Sequence, residues 1–234
     1  MNIANITGYK FTPIDDELLL RETILKYSTD LNLKGTVLIS SKGLNFSVSG
    51  TKKNIDNFIV FIHSDKRFSD VDIKITYNKY QPFRKMLVRI KKEIISMGVE
   101  EINPFQFTGQ KISPKELNNK LDNNEEIVLL DTRNEYEVRL GTFKNALDLD
   151  LDSFRDFPEE IEKLREELNG KEVVMFCTGG IRCEKASALM LENGFENIKQ
   201  IEGGVINYFQ ETGGKHWNGD CFVFDDRVAL NKNL

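Results

Sequence analysis

Cys177 follows the apolar run Val173-Val174-Met175-Phe176 and precedes Thr178-Gly179-Gly180-Ile181-Arg182-Cys183-Glu184-Lys185-Ala186. The run reads as a buried strand, the paired glycines permit a tight loop, and a helical pattern begins directly afterwards. Such a loop aims successive backbone N–H groups, those of Thr178, Gly179, Gly180 and Ile181, at the cysteine sulfur. The helix N-terminus adds positive potential. Both favour the thiolate, so Cys177 is expected to have a depressed pKa and to act as a nucleophile. Arg182 adds a fixed positive charge at the same rim. The plainer reading is an inert cysteine buried at a strand end; the glycines and Arg182 favour the reactive one.

Counting tests one rival chemistry. A cysteine phosphatase places Arg six positions after Cys, usually with His before it, whereas here Arg182 is five positions on and Phe176 precedes. The tighter loop suits a sulfur atom better than a phosphate. Cys183 opens the helix after the loop and is either a resolving thiol for an oxidised or persulfidated Cys177 or a small packed residue. Cys221 reads as packing. Three cysteines without a Cys-x-x-Cys pair suggest no disulfide framework. His63 and His216 are isolated, so no metal site is expected.

The elements that must position Cys177 are legible from hydrophobic periods. Ile127 to Leu130 is a short apolar run that reads as a buried parallel strand, and Asp131, Arg133 and Glu137 follow it, at the same end as Cys177. Ser113-Pro114 has cap chemistry for a helix, Pro158 starts another that faces Ile161, Leu164 and Leu168 inward, and the helix carrying Ala186, Leu189 and Met190 ends at Gly194. Alternating strands and helices predict a parallel α/β domain, whose sites form at the C-terminal strand ends.

The first hundred residues read differently. A helix starting near Asp15 carries Leu20, Ile24, Tyr27 and Leu31; two short strands cover 36–40 and 44–49; Thr51 caps a helix with Ile55, Phe58, Ile59 and Ile62. Val71, Ile73, Ile75 and Tyr77, then Met86, Val88 and Ile90, alternate as two further strands. The order helix, strand, strand, helix, strand, strand predicts an α+β sandwich of the ferredoxin-like kind. The expected organisation is 1–97 for this domain, a linker at 98–112, the α/β domain at 113–212 and a C-terminal segment at 213–234.

The chain of 234 residues, 40% hydrophobic and 29% charged, has the composition of an ordinary globular protein. Its net charge of −5 means that nucleic acid can be bound only through a local basic patch. Residues 79–93 supply one, with Lys79, Arg84, Lys85, Arg89, Lys91 and Lys92 against Glu93. The start lacks the features of a secretion signal, and no apolar stretch approaches the roughly 18 residues that span a bilayer. These features predict a cytoplasmic protein with no membrane partner.

Asp131-Thr132-Arg133, Glu137, Gly141-Thr142-Phe143 and Ala146 resemble the signature of rhodanese domains, and Gly203-Gly204 matches their usual ending. Arg133 and Glu137 also have a plainer reading, as a structural ion pair bracing the loop. The sequence from Cys177 to Ala186, then residues 201–209, then 221–228, is similar to the rhodanese-like tRNA uridine hydroxylases. In the first half, Lys34-Gly35-Thr36-Val37-Leu38-Ile39 and Pro82-Phe83-Arg84-Lys85-Met86 agree. The resemblance thus extends over nearly the whole chain. It implies a rhodanese domain at 113–212 and oxygen-dependent formation of 5-hydroxyuridine at the tRNA wobble position, with the anticodon loop as partner and molecular oxygen as co-substrate. No dinucleotide fingerprint is visible, so no cofactor is named.

Two departures stand out. Lys42-Gly43-Leu44-Asn45-Phe46 replaces the more usual Glu-Gly-Ile-Asn-Gly, and the chain ends soon after Val228, where many members continue into a cysteine-rich tail. The expected catalytic set is Cys177, Arg182 and Cys183; the expected RNA contacts are Arg84, Lys85, Arg89, Lys91 and Lys92, with Tyr80 and Phe83 either stacking on bases or packed in the core. Two routes are open for the thiolate: addition at carbon 6 of uracil, with Arg182 holding the developing oxyanion, or prior oxidation or persulfidation of Cys177, resolved by Cys183. A persulfide-carrying sulfurtransferase is the runner-up function, and an idle rhodanese module used for binding is a third.

Overall fold

In the computed structural model, which describes residues 2–234, the chain divides into two units, Met1–Ile95 and Ser96–Leu234. The first contains β1 (Ile3–Phe11), α1 (Glu17–Asp30), β2 (Lys34–Ser40), β3 (Gly43–Thr51), α2 (Lys52–Ser64), β4 (Lys74–Asn78) and β5 (Met86–Ile90). Its mixed sheet has the order β4-β1-β3-β2-β5, antiparallel except for β5, which runs parallel to β2. Leu20 and Ile24 of α1 and Ile55, Phe58 and Ile62 of α2 share one core with Val37, Ile39, Leu44, Phe46 and Val48. The Thr51 side chain accepts from the Asn54 amide and so caps α2, as its position in the sequence predicts.

This is the α+β ferredoxin-like arrangement, with one correction to the element order: a nine-residue strand precedes the first helix. Its inward positions are Ala4, Ile6 and Gly8, mostly too small to produce a hydrophobic alternation. At Gly8 the Phe46 ring lies 2.7 Å from where a Cβ would stand, so a neighbour fills the space. The reading of a strand from Val71 also needs trimming, because the paired residues begin at Lys74 and Val71 belongs to the preceding turn.

The second unit contains β6 (Gln110–Ile112), α3 (Pro114–Asp122), β7 (Val128–Asp131), α4 (Glu135–Val138), β8 (Gly141–Phe143), β9 (Leu147–Asp148), α5 (Phe157–Lys163), α6 (Arg165–Leu168), β10 (Val173–Phe176), α7 (Ile181–Glu192), β11 (Ile198–Ile201), α8 (Gly204–Thr212), β12 (Trp217–Gly219), β13 (Cys221–Phe222) and β14 (Ala229–Leu230). Its main sheet, β6-β11-β10-β7-β9, is entirely parallel. Ser113 caps α3 and Pro114 occupies its first turn, in agreement with the sequence. Strand β6 falls inside the stretch 98–112 read as linker; three residues with only Ile112 buried carry too little period to be seen.

Residues 213–234 are woven into this unit. Strand β12 pairs with β8, and Trp217 packs edge-on against Phe143, Phe176 and Phe209. Burying an indole among three rings is a large apolar contribution, so this segment is part of the core. Strands β13 and β14 then form a small hairpin. Among the described residues, no helix is long and apolar enough to cross a membrane.

Candidate active site

Parallel strands β7 and β10 are neighbours, and each delivers a polar residue from its C-terminal end: Asp131 ends β7, and Cys177 follows β10 directly. The chain then turns through Gly180, whose φ of 97° lies in the left-handed region, and enters α7 at Ile181. The Gly180 amide donates to Cys177 Sγ at 3.1 Å. The backbone amides of Arg182 and Cys183 at the start of α7, the Cys183 side chain and the Arg182 charge also favour its thiolate. Gly180 thus supplies one of the four expected amides. The left-handed turn redirects the chain, and the further stabilisation of the thiolate comes from the first turn of α7, at Arg182 and Cys183.

Gly204 supports the loop from behind. The amides of Val205 and Ile206 at the start of α8 donate to the carbonyls of Cys177 and Thr178 at 3.0 and 3.1 Å. A Cβ at Gly204 would lie 2.5 Å from the Cys177 carbonyl oxygen and 2.7 Å from the Gly180 nitrogen. Only glycine allows this approach.

Arg182 requires a correction. It does not stand free at the rim but is buried, and its guanidinium makes a bidentate pair with Glu137, Nη1 to Oε2 at 2.5 Å and Nη2 to Oε1 at 2.8 Å. The physical reason is desolvation: a guanidinium enclosed by protein needs a counter-charge, and α4 supplies one. The Glu137 carboxylate also accepts from the Asn134 backbone amide at 3.1 Å. With both terminal nitrogens on Glu137, Arg182 acts on the sulfur through its charge and its backbone amide.

The presumed Arg133–Glu137 pair is also corrected. Arg133 instead holds Asp131, with Nε to Oδ1 at 2.9 Å and Nη2 to Oδ2 at 2.6 Å. It donates further to the Gly141 carbonyl, and its guanidinium lies 4.9 Å from the Trp217 ring centroid. Asp131 accepts from the Thr142 hydroxyl at 2.8 Å. Asp131 and Arg133 are thus a buried brace beneath the loop, tied to the C-terminal segment, while Glu137 serves Arg182.

The three cysteines differ in their electrostatics. Burial works to raise the Cys177 thiol, but the neighbouring Cys183 side chain, the Arg182 charge and the start of α7 outweigh it and bring Cys177 down to about 5. Burial, together with the neighbouring Cys177, pushes Cys183 well up, so it stays a thiol and can donate. Burial pushes Cys221 up to about 12. Its sulfur lies 3.9 Å from the Thr178 hydroxyl, which fits the packing role. Cys177 is only 1% exposed, so the loop that holds its sulfur also encloses it.

The basic residues Arg84, Lys85, Arg89, Lys91 and Lys92 all belong to the first unit, on and around β5, and all are exposed. Tyr80 is exposed beside them and Phe83 is half-buried. Among the described residues, no group of three or more His, Cys, Asp or Glu side chains could hold a metal ion. Sequence reasoning missed Tyr136, Phe222 and Phe224, which border the loop. Thr178 donates its hydroxyl to the Phe222 carbonyl at 3.2 Å, and Arg182 lies 5.7 Å from the Phe224 ring centroid.

A depressed thiol makes stability depend on pH. Folded Cys177 releases its proton near pH 5 and the unfolded residue near 9. Folding therefore expels a proton between these values, and the thiolate's contribution is complete above 9 and lost as pH falls through 5. Urea unfolding of the wild type and of Cys177→Ser across this window should show their stability difference moving in favour of the wild type as pH rises. A difference independent of pH would show that the sulfur is not held as a thiolate.

Residues 3–94 match the UPF0176 acylphosphatase-like domain, and residues 113–211 match the rhodanese-like domain. A tRNA uridine(34) hydroxylase of Cupriavidus necator is 46% identical over 239 residues, covering 100% of this chain and 85% of that protein. A tRNA uridine(34) hydroxylase of Paraburkholderia xenovorans is 44% identical over 243 residues, again covering 85% of its length. An acylphosphatase-like unit followed by a rhodanese-like unit, with identity at this level across the full chain, means that the protein belongs to the tRNA uridine(34) hydroxylase family.

Proposed function

We propose that this protein hydroxylates uridine 34 of tRNA to 5-hydroxyuridine, using molecular oxygen as co-substrate and Cys177 as the reacting thiolate. The observation that carries this reading is the held sulfur: the Gly180 amide donates to Cys177 Sγ at 3.1 Å, and the Arg182 charge and the start of α7 favour its thiolate. The names of the full-length relatives supply the substrate. With tRNA as its substrate, the protein works in the cytoplasm as an oxidoreductase.

The influence of the neighbouring Cys183 on the Cys177 thiolate supports the indirect use of the thiolate. Inserting one atom of dioxygen into the carbon 5–hydrogen bond leaves a second atom, whose reduction to water takes two electrons and two protons. In the proposed sequence that second atom is transferred to Cys177, which becomes a sulfenate. The Cys183 thiol then attacks the sulfenate sulfur, the oxygen leaves as hydroxide, and a disulfide remains for an external thiol to reduce. Direct addition of the sulfur to carbon 6 requires Cys177 to be uncovered first, because it is enclosed in this conformation.

Nucleoside analysis of tRNA from a deletion strain tests the activity. The wild-type gene should restore 5-hydroxyuridine and Cys177→Ser should not; restoration by Cys177→Ser would refute the thiolate's role. In purified Cys183→Ser, turnover should stop after about one round, with one oxygen atom added to Cys177 by intact mass. Unimpaired multiple turnover would remove Cys183 from the reaction.

The exposed basic residues of the first unit are the proposed phosphate contacts. Changing Arg84, Lys85 and Arg89 together to Glu should weaken tRNA binding at low salt and flatten its dependence on salt concentration. Unaltered affinity would mean that the RNA is held elsewhere.

A further inference from the structure

Three aromatic side chains from two distant parts of the second unit meet beside the nucleophile loop. Tyr136, on α4, packs edge-to-face against Phe222, with centroids 5.2 Å apart and planes at 79°. Phe222, on β13, makes the same kind of contact with Phe224, at 5.1 Å and 84°. Phe222 is therefore flanked by two rings perpendicular to it. Tyr136 is 45% exposed and Phe224 61%. Exposed rings grouped in this way mark an interaction surface rather than isolated surface apolar residues.

The group is anchored to the loop at two points. The hydroxyl of Thr178, next to Cys177, donates to the Phe222 carbonyl. The Arg182 guanidinium, whose charge holds down Cys177, lies under the Phe224 ring. The hairpin that carries Phe224 is closed by Val223 donating to the Val228 carbonyl and Val228 to Asp225, and Asp225 pairs with Arg227. The hairpin therefore presents its ring at a defined place next to the reacting group.

We propose that Tyr136, Phe222 and Phe224 form the stacking surface that receives an unpaired anticodon-loop base and presents it to the Cys177 loop. The inference rests on the functional reading above and names the recognition surface for it. Every base has a π face, so aromatic stacking suits a base splayed out of an anticodon loop, and it needs no charge complementarity. The Arg182 cation beneath Phe224 sits on the ring's negative face and ties that ring to the charge that sustains the thiolate. Extruding a nucleotide is least costly where it is already unpaired, which fits a loop base and not a duplex one. Phe222 is the central positioning residue, and Tyr136 and Phe224 provide the contact faces.

The test uses the full chain and a synthetic anticodon stem-loop RNA with uridine at position 34, following 5-hydroxyuridine formation and direct binding by fluorescence anisotropy. Tyr136→Ala and Phe224→Ala should each raise KM and Kd about tenfold, the scale of losing one stacked base, and the double variant should lose more. Phe224→Tyr should restore wild-type KM and Phe224→Leu should not, because leucine keeps the apolar cover but has no π face. The thiolate ultraviolet absorbance of Cys177 should be the same in all variants, which excludes a collapsed loop as the cause. Wild-type KM in both alanine variants, or in Phe224→Leu, would overturn the stacking surface while leaving the functional reading intact. A wild-type protein that neither binds nor modifies the stem-loop would overturn both.

Discussion

The enclosed pair between Arg182 and Glu137 is the interaction on which the rest of the site depends. Desolvating a guanidinium and a carboxylate costs several kcal/mol for each ion, and only close, multiply bonded geometry offsets it. Here the two hydrogen bonds are 2.5 and 2.8 Å long, and the Asn134 amide takes a further site on the carboxylate. Removing either partner leaves an uncompensated buried charge, a loss of about 3–5 kcal/mol. The pair also has a chemical consequence. A permanent cation one residue into α7 is one of the groups that allow the enclosed Cys177 to be a thiolate.

The surrounding fold makes this arrangement possible with few residues. Adjacent parallel strands put Asp131 and Cys177 at one edge, and the short helix α4 returns Glu137 toward the start of α7. The left-handed turn at Gly180 directs its own amide at the sulfur, and the bare backbone at Gly204 lets α8 satisfy the carbonyls that the loop leaves pointing away. A second charge pair, Asp131 with Arg133, is bracketed by Trp217 and Thr142, so the C-terminal segment completes the wall of the site. Cys183, kept protonated by burial and by the neighbouring sulfur, favours the Cys177 thiolate and is the proposed redox partner.

Local signals in the sequence were sufficient for much of this. The apolar run before Cys177, the Gly-Gly turn and the helix start are contiguous, and their geometry follows from neighbouring residues alone. Charge pairing is not local in this sense. Arg133 and Glu137 are four apart and suggest each other, yet Glu137 bonds a residue 45 positions away because topology, not spacing, brings α4 to α7. For the same reason Arg182 looked available at the rim. Strand β1 was missed because a central strand lined by Ala4 and Gly8 leaves its volume to be filled by Phe46. The aromatic group of Tyr136, Phe222 and Phe224 joins residues some 86 positions apart and has no signature short of the folded chain.

The central claim is that a buried network holds Cys177 as a thiolate at neutral pH. Thiolate ultraviolet absorbance, taken as the difference between wild type and Cys177→Ser across a pH titration, measures this without requiring a reagent to reach the sulfur. An inflection near 5 is expected, moving upward in Cys183→Ala, where a side chain that favours the thiolate is lost. An inflection at or above the ordinary free-cysteine value of about 8.5 would contradict it.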